Sequence, residues 1–470
     1  MVMLCTGWLM QPGVVPAQQP EAWLTLASVL ESVGTHHPLI EAGLANVEEA
    51  QAELRAARGE FDPVLSVQGR LAPAGYYDPR RLDVLIEQPT PALGAALYTG
   101  YRVTRGKVAP YYGEQRTLDA GEIRGGIRLP LLQGRSIDAR RAGVQRARAQ
   151  SRASEQGYER LMLEMEREST QAYYAWVAAG RRLSVFTELL ALADSRDGQV
   201  KQMVELGALP FLEQLDNRRT ILDRTRQLVA ARRALEKASI DLSLFLRDRS
   251  GQPRVPGVQE LPADLEVHNL TGVAAIAAEE RALLKRPELA QGEALIEAAQ
   301  VELAAAENAV QPRLDAFGEV SRDFGTGPSD LSPTLAPTVV EVGVTLSVPL
   351  LQRRARGKRD AADAKLTAAE QRNSFLRDKV RAEVRDALSQ LRAAEERVQV
   401  AREGTEAARR VADGERERFE LGATTVLFVN IREQAAADAQ VHLIDGLLEL
   451  GQSHARLTTA MGERLSRVSR

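Results

Sequence analysis

Aromatic residues make up only 4% of this 470-residue chain, cysteine occurs once (Cys5), and histidine five times. One cysteine cannot form an internal disulfide, and a Cys-rich metal site cannot be built from it. The histidines are His36, His37, His268, His442 and His454. None forms a HExxH pair, so zinc chemistry has no support. No run of 18 apolar residues is present, which argues against a transmembrane helix. That absence says nothing of a membrane β-barrel, whose strands carry a weaker signal. Walker A, GxGxxG and GxSxG loops are missing, as is any metal-ligand spacing. No enzyme, cofactor or metal site is therefore expected. Lys+Arg at 61 against Asp+Glu at 64 leaves a net charge of -3, with no footprint for a nucleic acid partner.

Hydrophobic residues at 44% and charged residues at 27% exclude a disordered or collagen-like chain. Length alone predicts about three domains. The N-terminus carries a short apolar run, Val2 to Met10, then Val15-Pro16-Ala17 before Gln18. This pattern predicts a cleaved export signal over residues 1–17, although no Lys or Arg precedes Arg55 to supply a basic n-region. Cys5 follows Leu4, a poor context for lipidation.

An internal repeat dominates what is present. Residues 38–69 align with 287–318 at an offset of 249, with 13 identities in 32 positions and no gap. Pro38/Pro287, Gly43/Gly292, Pro63/Pro312 and Gly69/Gly318 are among them. Alanine bias does not produce matched prolines and glycines. The repeat continues from Leu129-Pro130-Leu131-Leu132 to Val348-Pro349-Leu350-Leu351 at offset 219, then from Glu205-Leu206-Gly207-Ala208 to Glu420-Leu421-Gly422-Ala423 at offset 215. The first copy therefore holds 30 extra residues between its proline landmarks and four extra within a helix, about one turn. Two copies are expected, at 18–247 and 271–463, with a Pro- and Gly-bearing linker at 248–270 and a tail at 464–470.

Each copy contains two alternating runs. Leu65, Val67, Gly69 and Leu71 oppose Ser66, Gln68 and Arg70. Ile123, Gly125, Ile127 and Leu129 oppose Glu122, Arg124, Gly126 and Arg128. Leu314 to Ser321 and Val340 to Val348 repeat the pattern. Period two fits either a sheet on a soluble core or a membrane barrel with apolar residues toward lipid. The runs match the 9–11 residues that cross a bilayer on a tilt. Residues 76–120 hold the extra length. They read as an outward-facing loop, or as an added hairpin from Leu82–Gln88 and Ala95–Val103.

Arg135 to Leu206 and Gln352 to Leu421 contain no proline. Each predicts a helix of about 70 residues, on the order of 100 Å long. Flanking helices of about 40 residues are expected over 20–60 and 208–247. Heptad-like spacing amid Ala, Arg and Glu fits long antiparallel coiled-coil helices. A periplasmic coiled-coil adaptor or scaffold is the alternative these helices allow, but it leaves the alternating strands between them unexplained. Both long helices end at related breaks, Gly207-Ala208-Leu209-Pro210 and Gly422-Ala423-Thr424-Thr425, each a simple helix hairpin turn or a docking tip.

The two-copy layout, the Pro-Leu-Leu strand ends and the run Phe419-Glu420-Leu421-Gly422-Ala423-Thr424-Thr425 resemble the TolC-type outer-membrane efflux protein family. The resemblance covers nearly the whole chain, from about Glu21 to Gly462. It implies a mainly α fold with a small β part, in which four strands per chain join a trimeric, twelve-stranded transmembrane barrel and the helices form a periplasmic α-barrel tunnel. It implies an outer-membrane duct for passive export in a tripartite efflux or type I secretion system. Its partners would be two further copies, outer-membrane lipid, a periplasmic adaptor that docks at the tips, and an inner-membrane pump. The family often places acids six and nine positions after the tip glycine, at the periplasmic entrance. Copy one has Glu213 and Asp216 there, whereas copy two has Phe428 and Ile431. Acids at the start of a helix also fit its macrodipole without any gate.

Overall fold

A computed structural model describes residues 23–108, 116–248, 250–265, 274–326 and 338–468. The expected export signal at 1–17 lies outside the described residues. The chain is mainly helical with one small antiparallel sheet. Copy one runs α1 (Leu26–His36), α2 (Pro38–Gly59), β1 (Val64–Leu71), β2 (Arg80–Pro89), β3 (Ala96–Arg105), β4 (Glu122–Pro130), α3 (Ala139–Glu205) and α4 (Phe211–Ser243). Copy two runs α5 (Ala275–Lys285), α6 (Pro287–Asn308), β5 (Arg313–Asp323), β6 (Thr338–Ser347), α7 (Arg353–Glu420) and α8 (Val426–Ala460). A one-turn helix, α9 (Leu465–Val468), closes the chain.

The long helices hold 67 and 68 residues, close to the expected length. The expected single helix over 20–60 is instead two helices. Pro38 begins α2 directly after His37, and Pro287 begins α6 directly after Arg286. Proline lacks an N–H and disfavours a helical residue before it, so the break falls one residue upstream. Both Pro landmarks of the repeat thus mark the same event.

The sheet corrects the expectation of four strands. It has six, in the order β1-β2-β3-β4-β5-β6. The extra length of copy one forms the hairpin β2–β3 inside the sheet, rather than only an outward-facing loop, with register Leu82↔Val103 and Ile86↔Thr99. Alternation Leu82, Val84, Ile86 against Arg81, Asp83, Glu87 gives these residues the same two faces as their neighbours.

The residues form two compact units, and each takes parts of both copies. The first comprises Met1–Ile40, Met162–Lys285 and Ala382–Arg470. Its main core surrounds Trp176, which is fully buried with Val29, Val177, Leu235 and Leu242. Trp176 Nε1 donates to Ser239 Oγ at 3.1 Å, and the Tyr173 hydroxyl donates to the Leu24 carbonyl at 3.1 Å. Apolar bodies are buried while their polar ends stay satisfied, as a dry core requires. In the same unit α9 is tied back by Glu166, which accepts from the backbone N–H of Leu465 at 2.7 Å and the Ser466 hydroxyl at 2.8 Å.

The second unit comprises Glu41–Leu161 and Arg286–Arg381 and contains the whole sheet. Its helical seams are thin. The buried side chains there include Val47, Ala50, Ala149, Ala153, Leu289, Ala294, Ala299 and Ala362. Alanine lets helix axes approach closely, so little apolar mass is needed per turn. The low aromatic content follows from this construction.

Candidate functional site

The two tips have one geometry. At the first, the Gly207 N–H donates to the Val204 carbonyl at 3.0 Å and the Ala208 N–H to the Met203 carbonyl at 2.8 Å. At the second, the Gly422 N–H donates to Phe419 at 2.9 Å and the Ala423 N–H to Arg418 at 2.8 Å. Both are Schellman caps, which satisfy the last carbonyls of a helix and require a left-handed residue. Gly207 has φ +74° and Gly422 has φ +70°. A Cβ at either would meet open space, so backbone conformation alone calls for glycine. The chain then re-enters a helix at Pro210, whose fixed φ suits an N-cap, and at Thr425.

Around these turns the apolar side chains point outward. Leu206, Phe211, Leu212 and Leu215 are exposed at the first tip, and Leu421, Leu427, Phe428 and Ile431 at the second. Leu421 is 83% exposed and Leu206 77%. Large apolar side chains are thus exposed together around both turns. Leu209 and Thr424 are half-buried, whereas Ala208, Pro210, Ala423 and Thr425 are exposed.

Glu213 and Asp216 lie on the first turns of α4 and are half-buried. Asp216 accepts from its helix neighbour Arg219 at 3.0 Å. Phe428 and Ile431 occupy the matching places on α8.

Sequence reasoning missed the centre of this region. Glu433 is buried on α8 and faces three arginines. Arg196 from α3 binds it, Arg224 from α4 donates to Oε2 at 3.0 Å, and Arg416 from α7 stands 3.6 Å from Oε1. Arg196 also donates to Asn430 Oδ1 at 2.8 Å, and Arg224 to the Leu189 carbonyl at 2.7 Å. Burial pulls the Arg224 guanidinium below its ordinary value, against the opposing pull of Glu433. One carboxylate thus ties all four helices of the first unit's coiled coil together. The available signal was Arg196 and Arg224 standing in otherwise apolar seam positions.

The sheet has one apolar face and one polar face. Leu65, Val67, Leu71, Ile123, Val320, Val340, Val342 and Val344 share the first, each more than half exposed. The polar face is a lattice of ion pairs: Arg81–Asp83 at 2.6 Å, Arg102–Glu122 at 2.5 Å, Arg124–Asp83 at 3.0 Å, Arg124–Glu319 at 3.8 Å, Arg128–Glu87 at 3.9 Å and Arg313–Asp315 at 2.7 Å. An exposed apolar face of this extent, backed by a face of ion pairs, has the two-faced pattern of membrane-barrel strands. No helix among the described residues is long and apolar enough to cross a membrane.

Residues 279–463 match the family model of outer membrane efflux proteins. That match covers most of copy two. The whole chain has the fold of its solved channels. It superposes on a membrane protein from Pseudomonas aeruginosa at TM-score 0.67 and 18% identity, covering 96% of each chain. It superposes on the Neisseria gonorrhoeae MtrE outer membrane channel in its open state at 0.66 and 15%, covering 98% of each. For the Campylobacter jejuni CmeC outer membrane channel the values are 0.65 and 14%, covering 98% of this chain and 93% of that one. No curated protein matches the chain by sequence. The resemblance to the TolC-type family therefore holds: residues 279–463 match the outer membrane efflux protein model, and the whole chain has the fold of outer-membrane channels.

Proposed function

We propose that this efflux protein is the exit duct of a tripartite efflux or type I secretion system, assembled as a homotrimer through which cargo passes passively. The number three follows the family resemblance; the observation that supports a barrel shared between copies is the sheet itself. Its two edge strands are open and its apolar face is exposed, so the lumen closes only when several copies share one barrel. The matched Schellman tips with their outward leucines and phenylalanines support docking of a periplasmic adaptor, coupled in turn to an inner-membrane pump. Docking is assigned to Gly207, Ala208, Leu209 and Pro210 and to Gly422, Ala423, Thr424 and Thr425. Glu213, Asp216, Phe428 and Ile431 are assigned to the periplasmic entrance, where carboxylates converging on a symmetry axis attract cations. The duct supplies no chemistry and no energy of its own.

The experiment is a bulky substitution at each tip. Gly207→Trp and Gly422→Trp are expected to abolish cross-linking to the adaptor and to lower export at least tenfold, with trimers intact on native gels. Normal export by both variants, with normal adaptor cross-linking, overturns the docking assignment.

A further inference from the structure

The sheet ends in two unpaired edges, β1 and β6, and each carries one charge that the rest of the lattice leaves over. On the polar face Arg81, Asp83, Glu87, Arg102, Glu122, Arg124, Arg128, Arg313, Asp315 and Glu319 are all in ion pairs. Asp323 accepts from the Leu118 N–H at 3.2 Å. Arg70 on β1 and Glu341 on β6 have no ion-pair partner among the described residues. They are of opposite sign, they sit on opposite edges, and both lie toward the outer ends of their strands.

A second copy of this chain is the partner that answers both. Antiparallel pairing of β1 with the neighbour's β6 must keep apolar residues on one face. Side chains alternate with period two, so only every second register does so. Two face-keeping registers pair all eight residues of β1. In one, Arg70 stands opposite Val339 and Gln68 opposite Glu341. In the other, Arg70 stands opposite Glu341, Gln68 opposite Gly343, Ser66 opposite Thr345 and Leu65 opposite Leu346. Only the second pairs the two leftover charges directly, and opposite charges facing across strands stabilise the pair.

We propose that β1 of one copy closes on β6 of the next in the register that pairs Arg70 with Glu341. With three copies of a six-stranded sheet the barrel has eighteen strands. The count of three rests on the trimer proposed above; the register does not. Barrel diameter grows nearly in proportion to strand number, so this barrel is about 1.5 times as wide as one built from four strands per copy. The hairpin β2–β3 is thus the element that sets the calibre of the outer-membrane pore.

Disulfide trapping in full-length protein with Cys5→Ser tests the register. Ser66→Cys with Thr345→Cys is expected to give covalent dimers and trimers on oxidation. Ser66→Cys with Gly343→Cys, which probes the other register, should cross-link at least fivefold less. Stronger trapping by the second pair, or none by either in protein that sedimentation shows to be trimeric, overturns the register. Protein that is not trimeric by sedimentation overturns the trimer instead. The strand count is read by electron microscopy of particles in nanodiscs. Replacement of residues 72–121 with a short flexible linker is expected to narrow the barrel by about one third. An unchanged barrel diameter places the hairpin outside the barrel wall and overturns the count.

Discussion

The two copies follow the same path to their tips and then diverge. Position 213 of copy one is Glu and position 428 of copy two is Phe; 216 is Asp and 431 is Ile. At the same offset, exposed Arg218 corresponds to buried Glu433. Backbone geometry was kept while the side chains took separate tasks. Copy one presents acids near the tip. Copy two supplies the single carboxylate that binds arginines from three other helices. A duplicated scaffold therefore specialises through a few side chains beside a shared turn.

The largest expected effect separates these equivalent positions. Glu433→Ala leaves Arg196 and Arg224 buried without their counter-ion, and breaking a buried pair in this way costs about 3–5 kcal/mol. Arg218→Ala changes an exposed side chain and is expected to stay within about 0.5 kcal/mol. Thermal unfolding in detergent measures both, and equal midpoints for the two variants would remove the central role of Glu433. A smaller effect tests what the copies share. Gly207→Ala and Gly422→Ala each force a left-handed residue with a Cβ, at roughly 1–2 kcal/mol. Similar losses at both tips are expected, and a loss at only one would show that the turns are not equivalent.

The smallest effect concerns the residue before each repeat's helix-starting proline, His37 in copy one and Arg286 in copy two. Burial, and then the nearby Arg247, hold the His37 pKa below its ordinary 6.5. The ring stacks on Phe245 at 5.9 Å, and its Nδ1 accepts from the Leu39 N–H at 3.3 Å, which requires the neutral form. The folded chain thus binds fewer protons at this site than the unfolded chain. Its contribution to stability is complete above pH 6.5 and is lost as pH falls below that value. Arg286 pairs with Glu288 at 2.8 Å. His37→Gln is expected to flatten the acid limb of the stability profile, whereas Arg286→Gln leaves its slope unchanged. A profile unaltered by His37→Gln would count against the His37 contribution.

The repeat, the alternating strands, the long helices and the glycine tips were legible because each rests on local spacing. Pro38, Pro287, Gly207 and Gly422 dictate backbone conformation at their own positions. The β2–β3 hairpin was half legible. Leu82, Val84 and Ile86 alternate properly, but Leu85 places an apolar residue on the polar face, and nearby Tyr, Pro and Gly residues suit a loop equally well. Arg196 and Arg224 in apolar seam positions hinted at a buried partner, but that the partner is Glu433 was not legible. Its burial depends on Arg196 and Arg224, more than 200 residues away in sequence, and no local period announces such a meeting.

The open edges of the sheet also bear on how the protein is made. A lone copy displays Val340, Val342, Val344 and Leu346 along a strand paired only with β5 and open on its other edge, the kind of surface that seeds aggregation. Water cannot cover it, and lipid cannot satisfy its free N–H and C=O groups. In the proposed trimer, insertion and assembly are therefore coupled, because only a neighbouring copy satisfies the open edge.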